Sequence, residues 1–262
     1  MDLLQALILG IIQGLTEFLP VSSSGHLELG AAVFNLKEEN LTFSIIVHGA
    51  TFLSVLVVFR KDIIQIINSL VRFRWDDETK YLLLLMLSAI PVGVVGVLFK
   101  DSIEGLFEGR IAFVGSMLLI TSLLLFLTRY APKKGEKINV KRAIIIGLAQ
   151  TLAVLPGISR SGATISTALY LGVDRVKAAR FSFLMVLIPI FGASFLEVLS
   201  LHNAQEPSTL TTGALVTGAV AAFLSGLFAC SWMIKIVKKG KLVWFAAYCA
   251  IVGVISILLY TI

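Results

Sequence analysis

The sequence has few cysteines and few charged residues. Only two of its 262 residues are cysteine, Cys230 and Cys249, and both lie in apolar stretches, where cysteine usually packs as a small hydrophobic side chain. They therefore indicate no disulfide framework and say nothing about the redox compartment. Charged residues make up only 15% of the chain, whereas 57% is hydrophobic and the mean hydropathy is +0.94. A soluble domain cannot present so apolar a surface to water, so the composition predicts an integral membrane protein.

The N-terminus also lacks the basic segment and the small-residue cleavage site of a removable signal peptide, so we expect the chain to be mature from Met1. Six stretches with few or no charges are long enough to cross a bilayer as helices. They are Leu41–Phe59, Tyr81–Phe99, Ile111–Thr128, Phe181–Leu201, Gly213–Ile234 and Leu242–Ile262. The predicted fold class is an all-α polytopic membrane protein, with residues 1–262 in a single membrane domain.

The net charge of +6 is concentrated in loops. Basic residues cluster in the regions Arg60–Lys80, Arg129–Arg142, Arg175–Arg180 and Lys235–Lys241. By the positive-inside rule these loops are cytoplasmic, which puts the loops between them and both termini outside. This distribution argues against nucleic-acid binding. A role of the clusters at lipid headgroups is compatible with the same topology.

Two segments repeat each other along the chain, with Gln13 and Gln150 in equivalent positions 137 residues apart. Residues 3–30 begin and end near the outer face, while residues 143–172 lie between two cytoplasmic loops, so neither segment crosses the membrane. We predict two re-entrant helical hairpins, each broken at proline and glycine. Three spans follow each hairpin. Because three is odd, the halves, about residues 1–130 and 141–262, form an inverted-topology repeat whose hairpins meet near the midplane.

Ionisable residues at membrane depth cost roughly 2.5–3.5 kcal/mol on insertion scales, so Glu17, His26 and Arg160 need an explanation. One reading is that they pair only to hold the hairpins together, although buried ion pairs stabilise weakly compared with apolar packing. The other is that they surround an anion. The Arg160 guanidinium can hold phosphate oxygens in a bidentate fork, beside two hydroxyls, a glycine and the N–H groups of a helix start. These neighbours are Ser159, Ser161 and Gly162.

The first hairpin offers different chemistry. The run Ser22-Ser23-Ser24-Gly25-His26 supplies a candidate nucleophile and a base, although in a soluble protein it would be an ordinary serine-rich turn. Gln13 and Glu17 are four residues apart and share one helix face. Such an oxygen-rich face can bind a hard divalent cation together with substrate phosphate. His48 stands alone in an apolar span, and we expect it to be a structural histidine with a local partner.

Together these motifs resemble the undecaprenyl-diphosphate phosphatases of the bacitracin-resistance type. The matching elements are Gln13 with Glu17, Pro20-Val-Ser22-Ser23-Ser24-Gly25-His26, and Pro156-Gly-Ile-Ser159-Arg160-Ser161-Gly162-Ala163-Thr164. The resemblance covers nearly the full length. It implies a multi-pass enzyme of the bacterial cytoplasmic (inner) membrane that removes the terminal phosphate of undecaprenyl diphosphate at the outer face. One departure is Gln13, which stands where many members have Glu and lowers the local negative charge.

The resemblance also implies a divalent metal, Mg²⁺ or Ca²⁺, with Gln13 and Glu17 as ligands. The expected partners are a polyprenyl diphosphate and membrane lipids, with a homodimer left open. We expect Ser23, or a water positioned there, to attack the terminal phosphorus while His26 transfers the proton. Glu17 with the metal would orient His26 or the diphosphate, and Arg160 would neutralise developing charge. The expected substrate-binding residues are Ser22, Ser24, Gly25, Ser159, Ser161, Gly162 and Thr164.

Two other functions share some of these sequence features. Inverted repeats with broken helices are common in secondary transporters, so architecture alone favours a transporter or a lipid flippase. A nucleophile, a base and a cation exceed what binding requires, which favours an enzyme. The membrane phosphatidic-acid phosphatases share Ser-Gly-His and Ser-Arg elements but need a further histidine. None occurs between Arg160 and His202, so we reject that class.

Overall fold

The computed structural model describes residues 1–34, 36, 41–99, 103, 105, 110–192 and 210–261, and over these residues it is built of helices without a β-strand. The long helices are α1 (Leu3–Phe18), α2 (Ser23–Val33), α3 (Leu41–Val58), α4 (Arg60–Val71), α5 (Asp77–Leu98), α6 (Ile111–Leu127), α7 (Val140–Leu152), α8 (Arg160–Tyr170), α9 (Arg175–Met185), α10 (Thr212–Lys239) and α11 (Val243–Thr261). A further helical stretch at 187–192 follows a turn at Val186.

Four of the described helices are long and apolar enough to cross a bilayer: α5, Ile111–Tyr130, α10 and Val243–Tyr260. The helices α3 and α4 bend by 77° at their junction, and they give a fifth span if the bent pair is counted as one. The chain is therefore a polytopic helical membrane protein, as predicted. Part of the predicted span Phe181–Leu201 lies outside the described residues, and the expected surface loop after Phe59 is largely the helix α4.

Each predicted hairpin is a helix, a break and a second helix. In the first, α1 stops before Pro20 with Leu19 extended (φ −69°, ψ 145°), because a residue preceding proline disfavours the helical region. Ser22 then caps α2 by accepting a hydrogen bond from the Gly25 N–H. In the second, Ser159 caps α8 by accepting from the Gly162 N–H. Equivalent serines thus start equivalent helices of 11 residues each, with their N-terminal N–H groups turned towards the breaks.

Glycines let the first helix of each hairpin approach its neighbour closely. The helix α1 packs along α10, and α7 packs along α5. A β-carbon at Gly14 would overlap the Ala222 carbonyl of α10, and one at Gly147 would overlap the Ser88 carbonyl of α5. Small residues at such contacts allow helix backbones to pack closely in membranes, where van der Waals contact is a main source of helix association. Each hairpin is therefore fixed against a span from the other half of the chain.

This packing predicts opposite effects for two glycine-to-alanine substitutions. Gly147→Ala should destabilise the protein by about 1–3 kcal/mol, because the new methyl group forces the α5 and α7 backbones apart. Gly93→Ala is the matched control, since a β-carbon there meets nothing within 4 Å and alanine favours a helix. Thermal unfolding in detergent micelles measures both variants. Equal melting temperatures for the two would contradict the proposed contact.

Candidate active site

The breaks of the two hairpins meet, so that α2 and α8 start close together. The Ser161 hydroxyl donates to the Leu19 carbonyl across the junction (3.2 Å), and a β-carbon at Gly25 would lie 3.2 Å from the Gly157 Cα. Thr121 of α6 ties the second break in place: its hydroxyl donates to the Gly157 carbonyl (2.9 Å) and accepts from the Ser159 N–H (3.0 Å). Two helix N-termini, which carry partial positive charge and free N–H groups, therefore converge on one point.

Glu17 is the centre of the polar network at this point. Its side chain is only 3% exposed. One oxygen, Oε2, accepts hydrogen bonds from Ser23 Oγ (2.6 Å) and Gln13 Nε2 (3.1 Å). The other, Oε1, forms an ion pair with Arg160. The structure thus brings together four of the predicted site residues, three from the first hairpin and one from the second.

His48 also reaches this network, which the sequence did not suggest. Its Nδ1 lies 2.9 Å from the Ser44 carbonyl oxygen, which can only accept, so Nδ1 carries a proton. Its Nε2 faces Glu17 Oε2 at 3.9 Å. The local backbone partner agrees with the expectation of a structural histidine, but the second nitrogen lies beside the central carboxylate. The only sequence signal was an ionisable residue at membrane depth, since no repeated motif contains it.

His26 is held by a different set of partners. Its Nδ1 is 2.8 Å from the Ser22 carbonyl oxygen, so Nδ1 is the protonated nitrogen and Nε2 carries the lone pair. Nε2 is 2.8 Å from the Tyr248 hydroxyl, which is therefore the donor, and the two rings stack at a centroid distance of 5.5 Å. Among the described residues, no hydrogen bond joins His26 to Glu17 or Ser23. Tyr248, in α11, was not predicted because it is an isolated tyrosine in an apolar helix.

The remaining predicted residues form the walls of the junction. Ser22 Oγ lies 3.4 Å from Ser24 Oγ, and Ser159 Oγ lies 3.3 Å from Ser161 Oγ, so each helix start presents a pair of hydroxyls. Ser22 has a positive φ of 71°, a strained conformation for a residue with a side chain, of the kind found at functional sites. Thr164 lies one turn further along α8. It is buried and donates to the Arg160 carbonyl (2.8 Å), with its hydroxyl also 2.6 Å from that of Ser182.

The oxygen atoms around Glu17 have the chemistry of a site for a hard divalent cation. Gln13 Oε1 is buried and has no hydrogen-bond partner among the described residues, although its amide nitrogen contacts the Glu17 carboxylate. One carboxylate, one amide oxygen and the Ser23 hydroxyl suit Mg²⁺ or Ca²⁺ when substrate phosphate supplies further ligands. No group of three His, Cys, Asp or Glu side chains is placed to hold a metal in the described part of the chain. The residues present therefore fit a metal shared with substrate.

Known proteins with similar sequences were found over almost the entire chain. A family model described as bacitracin resistance protein BacA matches residues 6–255. An undecaprenyl-diphosphatase of Christiangramia forsetii is 54% identical over 261 residues, which cover 98% of each chain. One of Bacteroides fragilis is 52% identical over 260 residues, again 98% of each chain. One of Halothermothrix orenii is 40% identical over 263 residues, which cover 99% of this chain and 98% of that relative.

The contact between His26 and Tyr248 can be tested directly. Tyr248→Phe removes the hydroxyl that donates to His26 Nε2, so the ¹⁵N resonance of that nitrogen should move. The chain has only three histidines, so ¹⁵N NMR of the imidazole rings in micelles resolves the change. Tyr260→Phe, near the exposed end of the same helix, is the matched control and should leave the resonance in place. An unchanged spectrum in Tyr248→Phe would mean that the hydrogen bond is absent in solution.

Proposed function

The chain belongs to the bacitracin resistance protein BacA family, and we propose that it hydrolyses undecaprenyl diphosphate to undecaprenyl phosphate and inorganic phosphate. This reaction recycles the lipid carrier for peptidoglycan and other envelope polymers, and thereby confers bacitracin resistance. The observation that carries the proposal is the position of Glu17, whose carboxylate holds a hydroxyl from its own hairpin and a guanidinium from the other.

The Ser23–Glu17 contact supports a nucleophilic step. Ser23 Oγ donates to Glu17 Oε2 at 2.6 Å, so Glu17 is placed to take the Ser23 proton, a task that the sequence assigned to His26. As the bond from Oγ to the terminal phosphorus forms, the bridging P–O bond breaks and its electron pair leaves on undecaprenyl phosphate. Water then cleaves the phosphoserine. In the alternative path, a water in place of Oγ attacks directly.

Arg160 and the helix starts bind the charged end of the substrate. The diphosphate offers the guanidinium two anionic oxygens in place of the Glu17 carboxylate, in the bidentate geometry that arginine favours. When Arg160 moves to the phosphate, Glu17 becomes free to accept a proton. The N–H groups and paired hydroxyls at the starts of α2 and α8 add partial positive charge around the same phosphate. Binding of the substrate and activation of the base are then one event.

His26 is a second proton-transfer group in this scheme. Its lone pair on Nε2 is directed at Tyr248, so the two side chains can exchange a proton with the water that completes hydrolysis. Glu17 and Gln13 would hold a divalent ion together with substrate phosphate, and the bound ion would neutralise charge on the diphosphate. Tyr248 fixes the tautomer and the plane of the imidazole ring.

The packing of α6 against α11 supports the inverted repeat. A β-carbon at Gly115 would lie 2.8 Å from the Gly253 carbonyl oxygen, and one at Gly253 would lie 2.7 Å from the Gly115 carbonyl oxygen. The Ser122 hydroxyl donates to the Ala246 carbonyl at 2.7 Å, so the two helices are antiparallel. At an offset of 137 residues α6 and α11 are equivalent. A two-fold axis along the membrane normal would make them parallel, whereas an axis in the membrane plane makes them antiparallel.

We accordingly retain the predicted topology as part of the proposal. It has six spans and two re-entrant hairpins, with repeats of about 1–130 and 141–262. Both termini and the opening of the site face the outer side of the cytoplasmic membrane. A transporter or flippase built on the same repeat would need a site that binds an anion. It would not need a serine hydroxyl hydrogen-bonded to a buried carboxylate, and this contact favours the phosphatase.

The proposed reaction is tested by phosphate release from a C55 diphosphate in micelles containing Mg²⁺ or Ca²⁺. Ser23→Ala should lower kcat by on the order of 10³-fold or more with a small change in KM, because it removes the attacking atom. Ser116→Ala is the control and should keep the wild-type rate, because the Ser116 hydroxyl donates to the Ala112 carbonyl one turn earlier in α6. Near-normal turnover by Ser23→Ala would eliminate Ser23 as the nucleophile. A wild-type protein that releases no phosphate with either ion would contradict the function itself.

The metal proposal predicts that Gln13→Glu tightens divalent-cation binding by roughly ten-fold, because affinity rises with the number of ligand charges. Titration with Mn²⁺, followed by electron paramagnetic resonance without substrate, measures the affinity. Gln5→Glu adds a carboxylate near the start of α1, away from the junction, and should leave the affinity unchanged. Equal tightening in both variants would mean that the ion responds to overall charge and not to a site at Gln13.

A further inference from the structure

A groove runs along the protein between α1 and the corner that joins α10 to α11. It encloses a cavity of about 650 Å³, which is within the usual size of a small-molecule site. Its inner wall comes from α1 and the first break and is apolar except for Thr16. Its outer wall carries two tryptophans, Trp232 and Trp244, and Lys239 and Lys241 lie at one end. Tyr248, the partner of His26, also lines it.

The charge in the groove has a single sign. Among the described residues that line it, none is acidic, whereas Lys239 and Lys241 are both basic and exposed. They flank Gly240, which ends α10 in a left-handed conformation (φ 70°). The Arg175 guanidinium packs against the same glycine, since a β-carbon there would lie 3.0 Å from Arg175 Nη1. The C-terminus of α10 offsets only about half an elementary charge, so the mouth of the groove remains positive.

The position of these cations distinguishes the groove from the active site. Lys239 is the last residue of a 28-residue helix that is long enough to span the bilayer, and Lys241 follows two residues later, so both lie at the level of lipid headgroups. Two tryptophans beside them are typical of the membrane–water interface. The hairpin junction, by contrast, is formed where helices break. A phosphate bound by the two lysines is therefore at the depth of a phospholipid headgroup, with the apolar wall beside its acyl chains.

We propose that the groove is a binding site for an anionic glycerophospholipid of the surrounding leaflet. The two lysines bind the headgroup phosphate, the tryptophans border the glycerol region, and an acyl chain lies on Leu15, Leu19 and Val21. Basic pockets between spans on the cytoplasmic side bind anionic lipid headgroups by the same physics. Because Tyr248 lines the groove, a bound lipid covers the side of the His26–Tyr248 pair that faces the membrane.

The proposal is tested by native mass spectrometry of the full-length protein, titrated with phosphatidylglycerol in the absence of polyprenyl substrate. Lys239→Gln with Lys241→Gln should weaken phosphatidylglycerol binding by about five-fold per lysine, or about 25-fold for the pair, because each interfacial cation contributes to headgroup attraction. Lys133→Gln with Lys134→Gln removes the same charge from another basic loop and should leave the affinity unchanged. Lys239→Arg with Lys241→Arg should retain binding.

Three results would overturn the proposal. They are equal loss of affinity in both glutamine pairs, equal affinity of the wild type for phosphatidylglycerol and phosphatidylcholine, and displacement of phosphatidylglycerol by an equimolar polyprenyl monophosphate. The last would assign the groove to the isoprenoid lipid. Melting temperatures of the variants, measured in the same micelles, separate loss of the site from loss of the fold. The binding assay contains no hydrolysis step, so failure of the phosphatase proposal would leave its result unaffected.

Discussion

The site depends on one buried carboxylate. Glu17 is almost excluded from solvent, and removal of a charge from water is costly unless opposite charge and hydrogen bonds replace the lost hydration. Arg160 supplies the charge, while Ser23 and Gln13 supply hydrogen bonds. Arg160 comes from the opposite hairpin, and the first hairpin, residues 3–30, contains no lysine or arginine to pair with its acid. The requirement to neutralise Glu17 therefore fixes the two breaks against each other and, with them, the convergent starts of α2 and α8.

In the proposed mechanism, the same ion pair serves catalysis as well as folding. An arginine that pairs with a carboxylate in the free protein is already directed at the place where an anion must bind. A phosphate competes for the guanidinium on nearly equal terms, because a carboxylate and a phosphate present similar pairs of oxygens. Glu17 need not be exposed to water at any stage of this exchange. A fully apolar junction would hold the hairpins at least as firmly. It could not, however, transfer a guanidinium from a carboxylate to an incoming phosphate.

Much of the architecture is predictable from particular residues in the sequence. Long uncharged runs predict helices such as α5 and α10 because lipid leaves the backbone no other partner. A helix start beside Arg160 was expected from the sequence, whereas the N-cap roles of Ser22 and Ser159 are seen only in the structure. What the sequence could not supply was contact between distant elements. His48 and Tyr248 belong to no motif, and only packing of α3 and α11 places them at the junction. The orientation of the His26 ring could not be predicted either. It depends on the Ser22 carbonyl and the Tyr248 hydroxyl, whose positions are defined only by the fold.

The glycine contacts of the two hairpins bear on how the protein is made. The helix α1 leaves the ribosome well before α10, yet it packs mainly on α10. Contacts between such distant segments form late, because the intervening chain must be ordered first. During synthesis the first hairpin, which contains Glu17 and a broken helix, therefore lacks its contacts with α10 until that helix has been inserted. Active enzyme can exist only after nearly the whole chain has been inserted, so a chain truncated before α10 should have no stable place for α1.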